Sequence, residues 1–291
     1  MSTLEQWISP HKAELPGGFT VGRVLPFRGG KGVGPFVFLD HMGPHTFQAG
    51  SGIDVGAHPH IGLSTVTYLF EGELEHRDSL GTLQIIRPGD VNWMTAGSGI
   101  AHTERTPAEL RSKPQPSHGV QAWVALPVEA EETEPSFEHH AGEMLPYFEK
   151  RGVSVRLIAG EAFGLRAPTK TFSRLFYAHA RIEAGSSLEF DSDGQEAAFF
   201  LVSGSLRHED LEYTGPGLLH FKRGARIEIT GASLCEGMLL GGEPLLEHRR
   251  IWWNFVSSKP ERIEEAKRRW ASGEFPKVPG ETSTIPLPGQ K

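Results

Sequence analysis

Apolar and polar residues fall into short alternating or continuous runs along most of the chain: TVTYLF at 65–70, LQIIR at 83–87, VQAWVAL at 120–126 and SVRLIAG at 154–160. The runs are rich in β-branched and aromatic residues and are bounded by Gly, Pro, Asp or Asn. Side chains two apart share one face of a strand, and turn residues must supply the reversals, so this punctuation predicts a β-sandwich or barrel. The pattern also repeats. FEGELEHRDSLGTLQIIRPGD at 70–90 resembles VSGSLRHEDLEYTGPG at 202–217: an apolar strand, a Gly turn (Gly72, Gly204), a polar strand with a histidine (His76, His208), then a Pro-Gly turn. Two copies of one β module are the simplest explanation. Their boundary is expected in the acidic, Pro-containing stretch from Pro127 to Pro146, giving an N-terminal domain over 1–135 and a C-terminal one over 136–291.

One helix is expected near the end. Ser258 and Glu261 have the spacing of a capping box, and Pro260 falls in the first turn, where a missing N–H costs little. Ile263, Ala266 and Trp270 share a face, with Glu264–Arg268 and Glu265–Arg269 as i,i+4 pairs. Trp270 is expected to pack on the second module. Residues 273–291, with Pro276, Pro279, Pro286 and Pro288, are expected to run as an extended tail over the surface.

Composition narrows the function. A chain of 291 residues buries enough surface to need neither a disulfide nor a structural metal, so any metal site is expected to be functional. Its 35 glycines and 21 prolines suit a protein of many turns. The net charge of −7 argues against direct nucleic-acid binding, which needs a clustered basic face. The single cysteine, Cys235, permits no intramolecular disulfide and favours a reducing compartment, where it is expected to be a buried small hydrophobe. The N-terminal residues lack the basic and apolar regions of a secretory signal, and no apolar run approaches the ~18 residues of a membrane helix. A cytoplasmic monomer is expected, nuclear only by way of a partner.

The chemistry is in the histidines, ten of 14 of which precede residue 141. His58-Pro59-His60 places two imidazoles at i and i+2, on one face of a strand, with Pro59 favouring extended backbone. His102-Thr103-Glu104 is a second such pair. If the two segments are neighbouring strands, three imidazoles and a carboxylate meet in one cavity, a donor set for Fe, Ni, Cu, Mn or Zn.

These residues carry a family resemblance. Gly52, His58-x-His60, Thr65 and Gly72 resemble the first motif of the cupin superfamily, with Thr65 where that motif has Glu; Gly89, Thr95-x-Gly97 and His102 are similar to the second, with Thr95 for Pro and two extra residues before the histidine. Glu104 can supply the carboxylate missing at 65. PFVFLDHMGP (35–44), GAHPHIGLSTVTYLFEGELEHRDSLG (56–81), GDVNWMTAGSGIAHTE (89–104) and IWWNFVSS (251–258) resemble the pirins, over nearly the whole chain. The resemblance implies an all-β bicupin of two stacked jelly-roll barrels and one iron, as Fe(II), held by His58, His60, His102 and Glu104. It further implies quercetin 2,3-dioxygenase activity on a flavonol with O₂; chemically, a Glu104 that swings off the metal within hydrogen-bond reach of the substrate hydroxyl would also serve as base. Pirins imply an alternative as well, a metal- or redox-dependent regulator binding a transcription factor or metabolic enzyme.

The second module is expected to hold no metal. Aligning Gly204 with Gly72 sends His58, His60 and Thr65 to Phe190, Ser192 and Ala197, and His220 follows Gly217 too closely to match His102. Asp40 and His41 are candidates for orienting a ligand imidazole. His76 and His118 are expected to be solvated strand residues and His139-His140 a surface pair. Phe36, Phe38, Tyr68, Phe70 and Trp93 are expected to fill a barrel, some of them lining a ligand cavity.

Overall fold

A computed structural model describes residues 2–15, 18–27 and 32–289. The predicted strands form: TVTYLF lies in Leu63–Glu71, LQII in Leu83–Ile86, VQAWVA in Gln115–Ala125 and SVRLIAG in Val153–Ala162. Their burial follows their patterning. Ser187–Asp191 alternates exposed and buried residues, as a strand with one face on a core must, whereas seven successive residues of Leu63–Glu71 are buried.

The chain forms two compact units, one of Met1–His11, Arg23–Leu39 and Glu143–Pro244, the other of Lys12–Gly22, Asp40–Gly142 and Leu245–Lys291. The expected single cut at 135/136 is therefore not the one the contacts make. Ser136–His140, placed in the linker by its acidic surroundings, pairs with Val91–Thr95 as the edge strand of a seven-stranded sheet. Phe137 turns inward from it to stack on His76.

In the unit holding residues 40–142, a four-stranded sheet runs in the order Asp54–His60, Ile100–Arg105, Leu74–Asp78, Leu83–Ile86. The seven-stranded sheet places Ser136–His140, Val91–Thr95, Leu63–Glu71 and Gln115–Ala125 side by side. Val21, Met42, Phe47, Ile53, Val55, Leu69, Leu74 and Ile86 form a buried apolar cluster here.

The unit holding residues 143–244 repeats the plan, with a four-stranded sheet ordered Ser187–Asp191, Arg226–Gly231, Ser205–His208, Leu211–Thr214 beside an eight-stranded one. The repeated glycine turn is real in both. Gly72 (φ +84°) and Gly204 (φ +79°) both lie in the left-handed region, and a Cβ would stand 2.3 Å from the Pro116 carbonyl oxygen in one and 2.2 Å from that of Leu234 in the other. His76 and His208 follow on equivalent strands, and both are buried. Cys235 is buried in this unit's apolar cluster, which pushes its thiol up to about 11.

The helix spans Pro260–Ala271, but Lys259 is its N-cap residue, without a side-chain cap. Ser258 is engaged elsewhere: its hydroxyl and its N–H both donate to the Glu131 carboxylate. Glu131 also pairs with Arg249 at 2.9 Å in a buried network. The helix ion pairs run at i,i+3, Arg262–Glu265 and Glu264–Lys267, while Arg268 turns to Glu274. Trp270 packs with Ile61, Phe255 and Phe275, in the unit holding residues 40–142 rather than on the second module. The tail is likewise more than a surface strap: Phe275, Val278 and Leu287 are buried, and Thr284 bridges to Ala57 on the edge strand that carries His58 and His60. Among the described residues, no helix is long and apolar enough to cross a membrane.

Candidate metal centre

Asp54–His60 and Ile100–Arg105 are antiparallel neighbours, with His102 directly opposite His58. Alternation then brings His60 to the same face. Ring centroids stand 5.2 Å apart for His58–His60, 4.2 Å for His58–His102 and 5.0 Å for His60–His102, and each imidazole offers a nitrogen within 4.8 Å of the others. All three are buried. Desolvation lowers their pKa values, that of His58 to about 4 and the others well below the ordinary range, with repulsion between neighbouring rings adding to the effect. Neutral imidazoles carry the lone pair a metal needs.

Each ring is held from behind. His58 Nδ1 donates to the Gly56 carbonyl at 2.9 Å. The hairpin Arg250–Trp252/Phe255–Ser257 brings the Asn254 backbone toward His60 at its turn, where it works against the burial that lowers that ring's pKa. His102 Nδ1 faces His76 Nδ1 at 3.3 Å, and His76 Nε2 donates to Asp78 Oδ2 at 3.0 Å. Burial pushes the Asp78 carboxyl up, but the hydrogen bonds from His76 and Thr82 outweigh it and hold it below its usual value.

Glu104 lies on the same strand face, outside the mutual set of three. Gln121 Nε2 donates to its Oε1 at 2.6 Å. Burial raises the Glu104 carboxyl to about 7 against the pull of Gln121 and Thr67. Opposite, two rows of side chains cross the seven-stranded sheet in register: His139, Asn92, Thr67, Gln121, and then Phe137, Met94, Thr65, Trp123. Trp123 meets His60 edge-on at 5.2 Å, and Phe137 stacks on His76 at 4.5 Å. The facing sheet thus brings a polar row to Glu104 and a largely apolar row to His60 and His76.

Several expectations need correction. His76 and His118 are buried, not solvated: His76 lies against His102 of the triad, and His118 Nε2 lies 2.9 Å from His41 Nε2. That contact takes His41 away from the triad, and the carboxylate behind a triad imidazole is Asp78, not Asp40. His139 is half-buried and bonds Asn92 at 2.7 Å, because its strand presents it inward. Tyr68, Phe70 and Trp93 alternate with Thr67 and Asn92 and so point to the sheet's other face. Gln121, Trp123, Phe137 and Asp78 were missed. Gln121 is the sole polar residue in VQAWVAL, and His76-x-Asp78 repeats the i,i+2 spacing of His58-x-His60.

The other barrel fills the equivalent places with hydrocarbon. On the strands corresponding to those of His58 and His102, Phe190 pairs with Ile227 and Leu188 with Ile229, all buried. Its histidines have separate partners: His179 bonds Glu236, and His208 bonds the Glu228 carbonyl and Thr3.

The triad fits a divalent metal ion. His60 Nδ1 and His102 Nε2 are buried with no hydrogen-bond partner, a cost of about 1–3 kcal/mol each that coordination would remove. Three imidazoles with a carboxylate at hand suit borderline first-row ions.

Fold and site together define a bicupin with, among the described residues, a histidine cluster in one barrel only. The chain belongs to the pirin family: the Pirin model matches residues 18–124 and the Pirin C-terminal cupin domain residues 177–276. It is 49% identical over 277 residues to a pirin-like protein of Caulobacter vibrioides, covering 94% of this chain and 95% of that one. Human pirin is 30% identical over 244 residues, 81% of each chain. The crystal structure of quercetin 2,3-dioxygenase from Acinetobacter baumannii superposes with a TM-score of 0.89 at 34% identity, covering 98% of this chain and 96% of that one.

Proposed function

We propose that this chain is a metal-dependent dioxygenase of the quercetin 2,3-dioxygenase type, opening an enol-bearing aromatic such as a flavonol with O₂. The observation that carries the proposal is the buried triad with two partnerless nitrogens beside a desolvated carboxylate. His58, His60 and His102 would hold the ion, Fe(II) before Ni, Mn, Cu or Zn, with Glu104 as the fourth ligand. When bound, the ion would supply Lewis-acid polarisation of the enol hydroxyl and electron transfer to O₂.

The protein's part is placement and proton transfer. Trp123, Phe137 and Met94 give a planar aromatic substrate an apolar wall. Glu104, with its carboxyl raised to about 7, is matched to taking the hydroxyl proton at Oε2 when that oxygen is off the metal, while Gln121 holds Oε1. Burial of the triad keeps competing water away.

Protein purified anaerobically and loaded with Fe(II) should consume O₂ with quercetin and release carbon monoxide, and His58→Ala should not. Equal rates from the two proteins would sink the proposal.

A further inference from the structure

We infer that Asp78 and His76 are a positioning pair that dictates which nitrogen of His102 carries its proton, leaving His102 Nε2 free to bind metal. The inference rests on the triad being a metal site, and it assigns a role to two residues that touch neither metal nor substrate.

The direction of each hydrogen bond follows from the previous one. Asp78 is fully buried, and its Oδ1 accepts the N–H groups of Leu80 at 2.9 Å and Thr82 at 3.1 Å. Its Oδ2 faces His76 Nε2 at 3.0 Å. An ionised carboxylate can only accept, so His76 must carry its proton on Nε2. With that one proton on Nε2, the ring presents a lone pair at Nδ1, which faces His102 Nδ1 at 3.3 Å. Two facing ring nitrogens need one proton between them, and here only His102 can provide it. With its proton on Nδ1, His102 is left with a bare Nε2, and Nε2 is the buried nitrogen that has no partner.

The geometry that enforces this is rigid. Leu74–Asp78 and Ile100–Arg105 are paired with Asp78 opposite His102 and His76 opposite Glu104, and Phe137 stacks on the His76 ring with planes 23° apart. His58 and His60 face backbone groups, Gly56 and Asn254, which substitution cannot remove. His102 is the triad member whose tautomer depends on side chains.

Replacing Asp78→Asn should reverse the chain. The amide oxygen would keep the Leu80 and Thr82 donors, so the amide N–H would point at His76 Nε2. His76 would then move its proton to Nδ1, and His102 would place its own on Nε2, facing the other two imidazoles. His76→Gln should preserve the original direction, since its oxygen can accept from His102 Nδ1–H while its amide donates to Asp78. His76→Phe keeps the stacking but supplies neither bond.

Long-range ¹H–¹⁵N NMR of metal-free, histidine-labelled protein reads the tautomers directly. His102 should be Nδ1–H in the wild type and Nε2–H in Asp78→Asn. Competition with a chromophoric chelator for Ni(II) should show affinity weakened about 10- to 100-fold in Asp78→Asn and His76→Phe, and largely restored in His76→Gln. An Nε2–H His102 in the wild type would overturn the inference without any variant having to fold. So would Asp78→Asn with wild-type tautomer and affinity. Absence of O₂ uptake by metal-loaded protein would count against the oxygenase reading alone, because the tautomers are read without metal.

Discussion

Gln121 and Glu104 face each other from two different sheets, joined by a 2.6 Å hydrogen bond from amide to carboxylate. That bond partly offsets the burial that raises the Glu104 carboxyl to about 7. Replacing Gln121→Leu removes the offset, so the carboxyl should titrate above 7 in metal-free protein, as read by ¹³C NMR of labelled Glu. Since the ionised form is the ligand and base, metal affinity of the variant at pH 7 should fall and recover at higher pH. A pH-independent loss would mean that Gln121 acts only through packing.

Metal binding should stabilise the fold without being required for it, because the strands around the triad are packed on their own apolar cluster. At a metal concentration a hundredfold above Kd, the wild type should gain about 2.7 kcal/mol, visible as a rise in Tm on adding Ni(II) or Fe(II). His60→Ala should remain folded by circular dichroism and show little of that rise.

The buried imidazoles set a pH dependence in metal-free protein. Burial lowers the folded-state pKa of His58 and of His41 to about 4, and those of His60 and His102 well below the ordinary 6.5. Between pH 6.5 and 4 the unfolded chain therefore binds protons that the folded chain refuses, and stability must fall as pH falls through that window. Urea unfolding at pH 7 and pH 5 should show the loss. Saturating metal should leave the loss at least as large, since coordination keeps the same lone pairs of the folded chain from taking protons.

Glu131 and Arg249, with side chains only 4% and 3% exposed, tie the segment before the hairpin to the end of the seven-stranded sheet. Arg249 also donates to the Leu126 carbonyl, and Glu131 accepts from Ser257 and Ser258. Glu131→Ala leaves a buried guanidinium without its counter-charge and should cost about 3–5 kcal/mol in denaturant unfolding. Because the same segment presents Asn254 to His60, metal affinity should drop with it.

The strands and the triad could be read from the sequence because both rest on period-two spacing, which needs no tertiary information. His58-x-His60 and His102-x-Glu104 had to share a face once extended, and only their adjacency had to come from the fold. The residues that escaped notice depend on what lies across from them. His76 looked like a polar strand residue, and it is buried because Phe137 arrives from a strand that charge alone marked as linker. Ser258 had the right neighbours for a cap, but Glu131, distant in sequence, captures it. The same holds for the segment from 245 onward, which packs with residues 40–142, a return that local patterning does not encode.

The bridge from Thr284 to Ala57, with Ala57 donating to the Ser283 carbonyl and Ile285 donating back to that of Ala57, covers the open edge of the strand that carries His58 and His60. A chain emerging from the ribosome makes those two histidines more than 200 residues before the segment that shields them. Until then their strand is a bare edge, open to pairing with another nascent chain, and His60 lacks the backbone of Asn254. The centre can therefore be completed only after the other barrel has been synthesised, which favours metal capture by the finished protein over capture during translation.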